Sequence, residues 1–153
     1  MAVYQTDLSR SFGKVVGPGI ARAKHSLVAI VAMTTAMIDN ANDEVGLFTA
    51  PKGFVVTGAT VSATDMDSST GLAIDIGIVG TEALFVAAAT VGQAGTLSAA
   101  LAPAGHLYKF AADTQVRAFI QTAASGTPAA GTLKVELEGF FDTGFDTTAL
   151  VAS

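Results

Sequence analysis

The sequence lacks cysteine and tryptophan and has only two histidines among its 153 residues. Without cysteine, a disulfide framework, a thiol nucleophile and a zinc–thiolate site are all excluded. The fold must therefore be stabilised by packing alone or by assembly with other chains. A metal site built on histidine needs several ligands close in space. Because His25 and His106 are far apart in the chain, each is interpreted as a structural residue.

Charge is also scarce, since charged residues make up 14% of the chain and hydrophobic residues 50%. In an average soluble domain about a quarter of the residues are charged. A monomer with so little charge exposes much apolar surface, and contact with copies of itself or with a partner would cover it. A soluble monomer rich in small residues is the alternative. The length favours one domain with a sizeable core.

The few charges are unevenly distributed along the chain. Residues 1–26 hold four basic residues against Asp7 alone, a net charge of +3, while the remainder holds four basic residues against twelve acidic ones, a net charge of −8. A basic arm on an acidic body predicts that the arm contacts something acidic, whether a partner protein, a neighbouring subunit or nucleic acid. Nucleic acid is not expected as the partner, because no recognisable binding module accompanies the arm. A solvated tail is the alternative.

No membrane segment or signal peptide is predicted. The apolar run from Leu27 to Ile38 follows two basic residues, but it begins too late in the chain for a signal peptide and no clear cleavage site follows. It is also shorter than the ~20 residues that span a bilayer. We interpret Leu27–Met33 as a buried strand, with a helix as the competing interpretation.

Alternation of apolar and polar residues predicts about eight strands and one short helix. An Ala-rich stretch, Glu82–Val91, is the predicted helix. Turn signals between strands recur every 8–12 residues, which is typical of a two-sheet β-sandwich or barrel, and eight is the strand number of a jelly roll. We therefore predict an all-β antiparallel sandwich over 27–142, an extended N-terminal arm over 1–26 and a C-terminal tail over 143–153. The predicted strands are Leu27–Met33, Glu44–Thr49, Phe54–Ala63, Leu72–Val79, Thr96–Leu101, His106–Phe110, Thr114–Thr122 and Leu133–Phe141.

One polar turn, between the third and fourth predicted strands, has oxygen-bearing residues at alternate positions. Asp65, Asp67 and Ser69 have the spacing of ligands that wrap a Ca²⁺ ion. The EF-hand pattern fails, however, because its glycine and its closing glutamate are not in place. A turn whose side chains bond their own backbone is the preferred interpretation, so these residues remain weak metal candidates. The turn is expected to lie at an exposed end of the sandwich.

No motif for catalysis or cofactor binding is present. The sequence has no Gly-x-Ser-x-Gly nucleophile elbow, no phosphate-binding loop and no dinucleotide fingerprint. Asp142 and Asp146 lie in a near-repeat, Phe-Asp-Thr-Gly-Phe-Asp-Thr, which suggests an anchor for two phenyl rings more than a catalytic carboxylate pair. We predict a protein that is not an enzyme and has no cofactor.

Several segments together resemble a family of small phage head proteins. They are Glu44–Val56, with a strand on either side of Pro-x-Gly, and Ile74–Gly77, followed by the Ala-rich stretch; then come Gly105–Tyr108, Ala112–Val116 and Ala130–Val135. Over roughly Glu44–Phe141 the chain resembles jelly-roll decoration, or cement, proteins of tailed bacteriophages and related head-fibre base domains.

The resemblance implies a structural virion protein on the outer capsid surface. It implies a homotrimer that clamps neighbouring major capsid proteins, with an N-terminal arm that reaches across the lattice. The arm itself matches no motif, so its capsid contacts are predicted from charge and composition alone, at Arg10, Phe12, Lys14, Arg22 and Lys24. Two alternatives stay open: a receptor- or glycan-binding module of a head fibre or tail tip, and a head–tail or tail-tube component.

Overall fold

The computed structural model describes residues 24–93, 97–98 and 101–142. These residues form eight strands, and the only helical pieces among them are three-residue 3-10 turns. The strands are β1 (His25–Met33), β2 (Glu44–Ala50), β3 (Phe54–Ala63), β4 (Ala73–Ile78), β5 (Thr81–Ala89), β6 (Leu97–Ser98), β7 (Thr114–Thr122) and β8 (Gly131–Phe141).

The strands form two four-stranded antiparallel sheets. One sheet has the order β1-β8-β3-β6 and the other β2-β7-β4-β5. Strands that follow one another along the chain, such as β1 and β2 or β7 and β8, lie in opposite sheets, while only β4 and β5 pair directly as a hairpin. This arrangement of eight strands is a jelly roll, so the predicted fold class is confirmed.

The alternating residues of the strands build the core between the sheets. On β8, Leu133, Val135 and Leu137 are fully buried, and their neighbours Lys134 and Glu136 lie on the outer face. The period-two pattern placed these side chains correctly because only one face of that strand meets the opposite sheet. The helical interpretation of residues 27–38 is wrong, since β1 occupies all but its last residues.

The predicted helix over Glu82–Val91 is also wrong, because residues Thr81–Ala89 form β5. Leu84, Phe85 and Val86 are buried consecutively, which neither a helix face nor a regular strand gives. The β4–β5 register is interrupted on both sides of the Ile76–Val86 pair, so β5 is an irregular strand in which strict alternation is not expected. Alanine's helical propensity is worth only a few tenths of a kcal/mol per residue, so the burial of these side chains outweighs it.

Two further predicted strands are shorter or less regular than expected. The sequence predicts a strand over Thr96–Leu101, and the strand that the structure describes there is the two-residue β6, which pairs with the end of β3. His106–Phe110 is not a strand, but its backbone is hydrogen-bonded to the start of β3: the N–H groups of Leu107 and Phe110 donate to β3 carbonyls. It thus covers the same edge of β3 that β6 covers further along.

The antiparallel register defines two ends of the sandwich. The terminal end comprises the turns 51–53 and 79–80, the segment 106–113 and the chain positions 24 and 142, where residues 1–23 and 143–153 join the domain. The loop end comprises residues 34–43, 64–72, 90–93 and 123–130. The first and last described residues, Lys24 and Asp142, therefore lie at the same end of the sandwich.

Candidate functional site

A chain of rings packs across the terminal end and joins the two sheets. The members, in spatial order, are His25, Phe141, Phe54, Phe110, Phe85 and Tyr108. Neighbouring centroids lie 5.1–6.4 Å apart, mostly in edge-to-face geometry, and each such pair contributes about 0.5–1.5 kcal/mol beyond its buried area. The cluster makes the terminal end, where Lys24 and Asp142 lie, a rigid platform.

Gly53 connects three segments of this platform through its backbone. Its N–H donates to the Phe110 carbonyl, and its own carbonyl accepts from the N–H of Asp142, both at 2.8 Å. Its φ of +85° belongs to the left-handed region that glycine adopts without strain. The Pro51–Gly53 turn signal in the sequence therefore marks the point where the 106–113 segment and the end of β8 are tied together.

Charged pairs surround the platform. Lys24 contacts Glu138 at 2.7 Å and Lys109 contacts Asp142 at 2.9 Å, while the Asp113 carboxylate accepts the backbone N–H of Lys52 at 2.8 Å. All lie at the surface, so each contributes about 1 kcal/mol or less. Their effect is to orient the first and last described residues of the chain on the domain.

The terminal end also exposes apolar side chains. Among the described residues, three large hydrophobic side chains are exposed, and Val79 and Leu107 at 66% and 56% are the two that belong to this end. The third, Ile30, lies on the outer face of β1. The terminal end therefore combines the packed aromatic cluster with surface ion pairs and two exposed apolar side chains, Val79 and Leu107, which we call the apolar rim.

The loop end is organised differently, around the buried carboxylate of Asp67. Asp67 is fully buried, and its two oxygens accept five backbone N–H groups at 2.8–3.3 Å. Three donors belong to its own turn, and two, from Ser125 and Gly126, belong to the β7–β8 loop. One side chain thus holds the β3–β4 and β7–β8 loops together.

Asp67 stays ionised in this position. Burial by itself raises the pKa of the carboxyl group, but the backbone N–H groups of Ser69, Leu72, Ser125 and Gly126 stabilise the charged form more strongly and lower the pKa to about 2. A carboxylate whose oxygens already accept this many donors is a structural anchor for the loops.

The three metal candidates are not brought together as ligands. Asp67 faces backbone donors, Asp65 is exposed, and the Ser69 backbone N–H is one of the groups that donate to Asp67. Within residues 24–93, 97–98 and 101–142, no group of three or more His, Asp or Glu side chains could hold a metal ion. The same residues contain no helix long and apolar enough to cross a membrane. The turn's exposed position is only partly as predicted, because Met66 and Asp67 are buried.

Of the predicted arm contacts, only Lys24 lies within the described residues, where it pairs with Glu138 on β8. Arg10, Phe12, Lys14 and Arg22 lie outside them, as does the tail with Asp146. The aromatic cluster was missed from the sequence because its members are scattered over the chain. The available signal was the placement of Phe54, Phe110 and Phe141 next to turns or strand ends.

The fold is similar to that of chains in phage capsids. A chain of the cyanophage Pam1 capsid asymmetric unit is similar with a TM-score of 0.70 and 28% sequence identity, over 84% of this chain and 92% of that chain. A chain of the Ralstonia phage GP4 capsid has a TM-score of 0.67 at 22% identity, over 86% and 92%. A chain of the acid-stable capsid of Helicobacter pylori bacteriophage KHP30 has 0.53 at 13%, over 78% and 93%.

The likeness to the Pam1 chain supports a phage capsid-related structural protein, whereas the other two likenesses show the fold alone. High coverage on both sides means that each matched chain is of similar length to this one. The sequence matches no protein-family model and no curated protein.

Proposed function

We propose that this protein is a non-enzymatic component of a phage virion that binds the outer capsid surface as a trimer and cements neighbouring major capsid proteins. The observation that carries the proposal is the similarity, over most of both chains, to a chain of a cyanophage capsid. The low charge of the sequence and the exposed apolar rim of the terminal end support an obligate contact surface.

The physical effect of such a protein follows from linkage. A chain that binds only the assembled lattice stabilises that lattice, by an amount that grows with the logarithm of the chain's free concentration relative to its Kd. A trimer presents its contacts three times, so weak single contacts add up to tight attachment. The basic residues Arg10, Lys14, Arg22 and Lys24 with Phe12 would guide the arm to acidic lattice surface, contributing orientation more than affinity.

Capsid stability tests cementing directly. Capsids assembled without this chain should lose their DNA at a lower temperature than complete capsids, and addition of the purified protein should restore the difference. If depleted and complete capsids break at the same temperature, the cementing function is wrong.

Copy number separates the proposal from its alternatives. Light scattering coupled to size exclusion, or averaging of virion images, should show three copies per assembly on the head. A ring of five, six or twelve copies at the tail axis would instead favour a head–tail or tail-tube component, and specific binding on a glycan array would favour a receptor-binding module.

Removal of residues 1–23 tests the arm. The truncated protein should bind capsids more weakly, while a full-length variant with Arg10, Lys14 and Arg22 replaced by glutamine separates the loss of charge from the loss of length. Lys24 is kept in both because it pairs with Glu138. Capsid binding at the normal affinity by the truncated protein would remove the arm from the proposal.

A further inference from the structure

The two ends of the sandwich differ in charge, and the difference is visible in both sequence and structure. The loop end holds Asp39 and Asp65, both exposed, together with the half-buried Asp43 and the buried, ionised Asp67. Residues 34–43, 64–72, 90–93 and 123–130 contain no lysine, arginine or histidine. The loop end is therefore uniformly acidic.

The terminal end is different in sign and in character. Lys24, Lys52 and Lys109 lie there, balanced by nearby carboxylates, and residues 1–23, which precede Lys24, carry a net charge of +2, with Arg10, Lys14 and Arg22 against Asp7. The exposed side chains of Val79 and Leu107 also lie at this end. The molecule is thus polarised along its strands, from an acidic loop end to a terminal end that is neutral in its folded part and basic in its attached segment.

We infer from this polarity that the terminal end is the docking surface, that its partner is an acidic protein surface, and that the loop end points away from it. An acidic partner attracts the basic segment and repels the loop end. The electrostatic field of the partner therefore guides the arm and also orients the domain, with its terminal end toward the partner. The apolar rim then contacts the partner at the position to which the arm has already tethered the domain. The inference rests on the proposed function, since the capsid supplies that partner surface.

The rigidity of the terminal end is consistent with docking. The aromatic cluster and the hydrogen bonds of Gly53 hold the 51–53 turn and the 106–113 segment before any partner is present. A surface that is already ordered loses little conformational entropy on binding. At the loop end, by contrast, the built feature is Asp67, and it binds only the protein's own backbone.

Single-cysteine labelling tests the orientation, because the natural chain has no cysteine. Val79→Cys places the label at the terminal end and Thr70→Cys places it at the loop end, both at exposed turn positions. Each is conjugated to a maleimide-linked polyethylene glycol chain, and unlabelled variants with unchanged melting temperatures serve as folding controls. Binding is measured on phage capsids assembled without this chain.

The Val79 conjugate should bind about tenfold or more weakly than its unlabelled form, because the polymer occupies the contact, and the Thr70 conjugate should bind like its own. If the polymer at position 70 alone prevents capsid binding, or if the two conjugates bind equally well, the proposed orientation of the domain is wrong. Failure of the unlabelled wild-type protein to bind would instead reject the proposed function itself.

Salt dependence tests the acidic partner. Binding of the wild-type protein should weaken as sodium chloride is raised, since the Debye length shrinks from ~10 Å at 0.1 M to ~3 Å at 1 M, and the variant with Arg10, Lys14 and Arg22 replaced by glutamine should depend less on salt. Asp39→Asn with Asp65→Asn is the matched control and should not weaken binding. Salt-independent binding by the wild-type protein, or weaker binding by the control, overturns the acidic partner.

Discussion

At the scale of single residues, Asp67 shows how a side chain can look like a ligand in sequence and act as an anchor in the fold. The Asp-x-Asp-x-Ser spacing places oxygens at alternate positions of a turn. The fold turns the second of these carboxylates inward, where it accepts backbone N–H groups from two loops. The preferred interpretation, that side chains of the turn bond to the local backbone, holds for Asp67. Its hydrogen bonds to Ser125 and Gly126 in the β7–β8 loop could not be predicted from the sequence.

Replacing Asp67 by asparagine should destabilise the protein by about 2–3 kcal/mol, because an amide removes the charge and points N–H donors at backbone donors. Chemical denaturation of the variant and the wild type measures the difference. Asp65→Asn is the matched control: it changes the same charge in the same turn at an exposed position and should cost about 0.5 kcal/mol or less. Equal losses for the two variants would contradict the anchoring role.

The lowered pKa of Asp67 also predicts a pH dependence. Because its pKa falls from 3.8 to about 2 on folding, the unfolded state binds the proton more readily than the folded state. The stabilisation by the ionised carboxylate is therefore complete above about pH 4 and is lost as the pH falls toward 2. Melting temperatures of wild type and Asp67→Asn should converge over this interval, and a constant gap down to pH 2 would contradict the assignment.

At the scale of elements, the β4–β5 hairpin is where local propensity and tertiary packing disagree. Its Ala-rich second strand favours a helix by propensity, yet in the fold the two residues Val79 and Gly80 connect β4 to β5 as a hairpin. Asp75, on the outer face of β4, is buried and accepts the N–H of Ala88 at 2.6 Å. Both faces of β4 are covered, so its alternating pattern concealed a strand buried on both sides.

Two glycines of this hairpin give a paired prediction. A Cβ at Gly77 would meet the backbone carbonyls of Thr81 and Glu82 on β5, whereas a Cβ at Gly80 would meet nothing within 4 Å. Gly77→Ala should therefore cost about 2 kcal/mol or more, since backbone must move. Gly80→Ala should cost about 1 kcal/mol, from its φ of +85° alone. Thermal unfolding in which Gly80→Ala is the more damaging change would show that the approach of the two strands is not tight.

At the scale of the whole molecule, the two sheets of the described domain enclose one continuous core. Among the described residues, the buried cluster runs from Leu27 to Leu137, and its side chains fill the space between the two sheets. Removing residues 1–23 should leave the free energy of unfolding, measured by chemical denaturation, unchanged within about 0.5 kcal/mol, even where capsid binding falls. A large loss of stability on truncation would mean that the segment belongs to the folded domain.

Much of the architecture could be predicted because apolar and polar residues alternate along strands that have one buried face and one solvent-exposed face. The bounds of β3 and β7 follow directly from that pattern, and those of β2 and β8 nearly so. The basic charge of residues 1–26 and the absence of catalytic motifs are also properties of the sequence alone. The alternation determines the fold class, and the charge of residues 1–26 is the basis on which an acidic partner is proposed.

The tertiary structure alone decided which strands pair, that Thr81–Ala89 is a strand, and that rings separated by up to 116 residues, from His25 to Phe141, form one cluster. It also decided that Lys24 and Asp142, the first and last described residues, lie at one end of the sandwich and that the acidic loops gather at the other. The physical reason is common to all of these. Local propensities are worth tenths of a kcal/mol per residue, whereas burial of a large side chain is worth about 1.5–3 kcal/mol, and burial depends on partners that are distant in the chain.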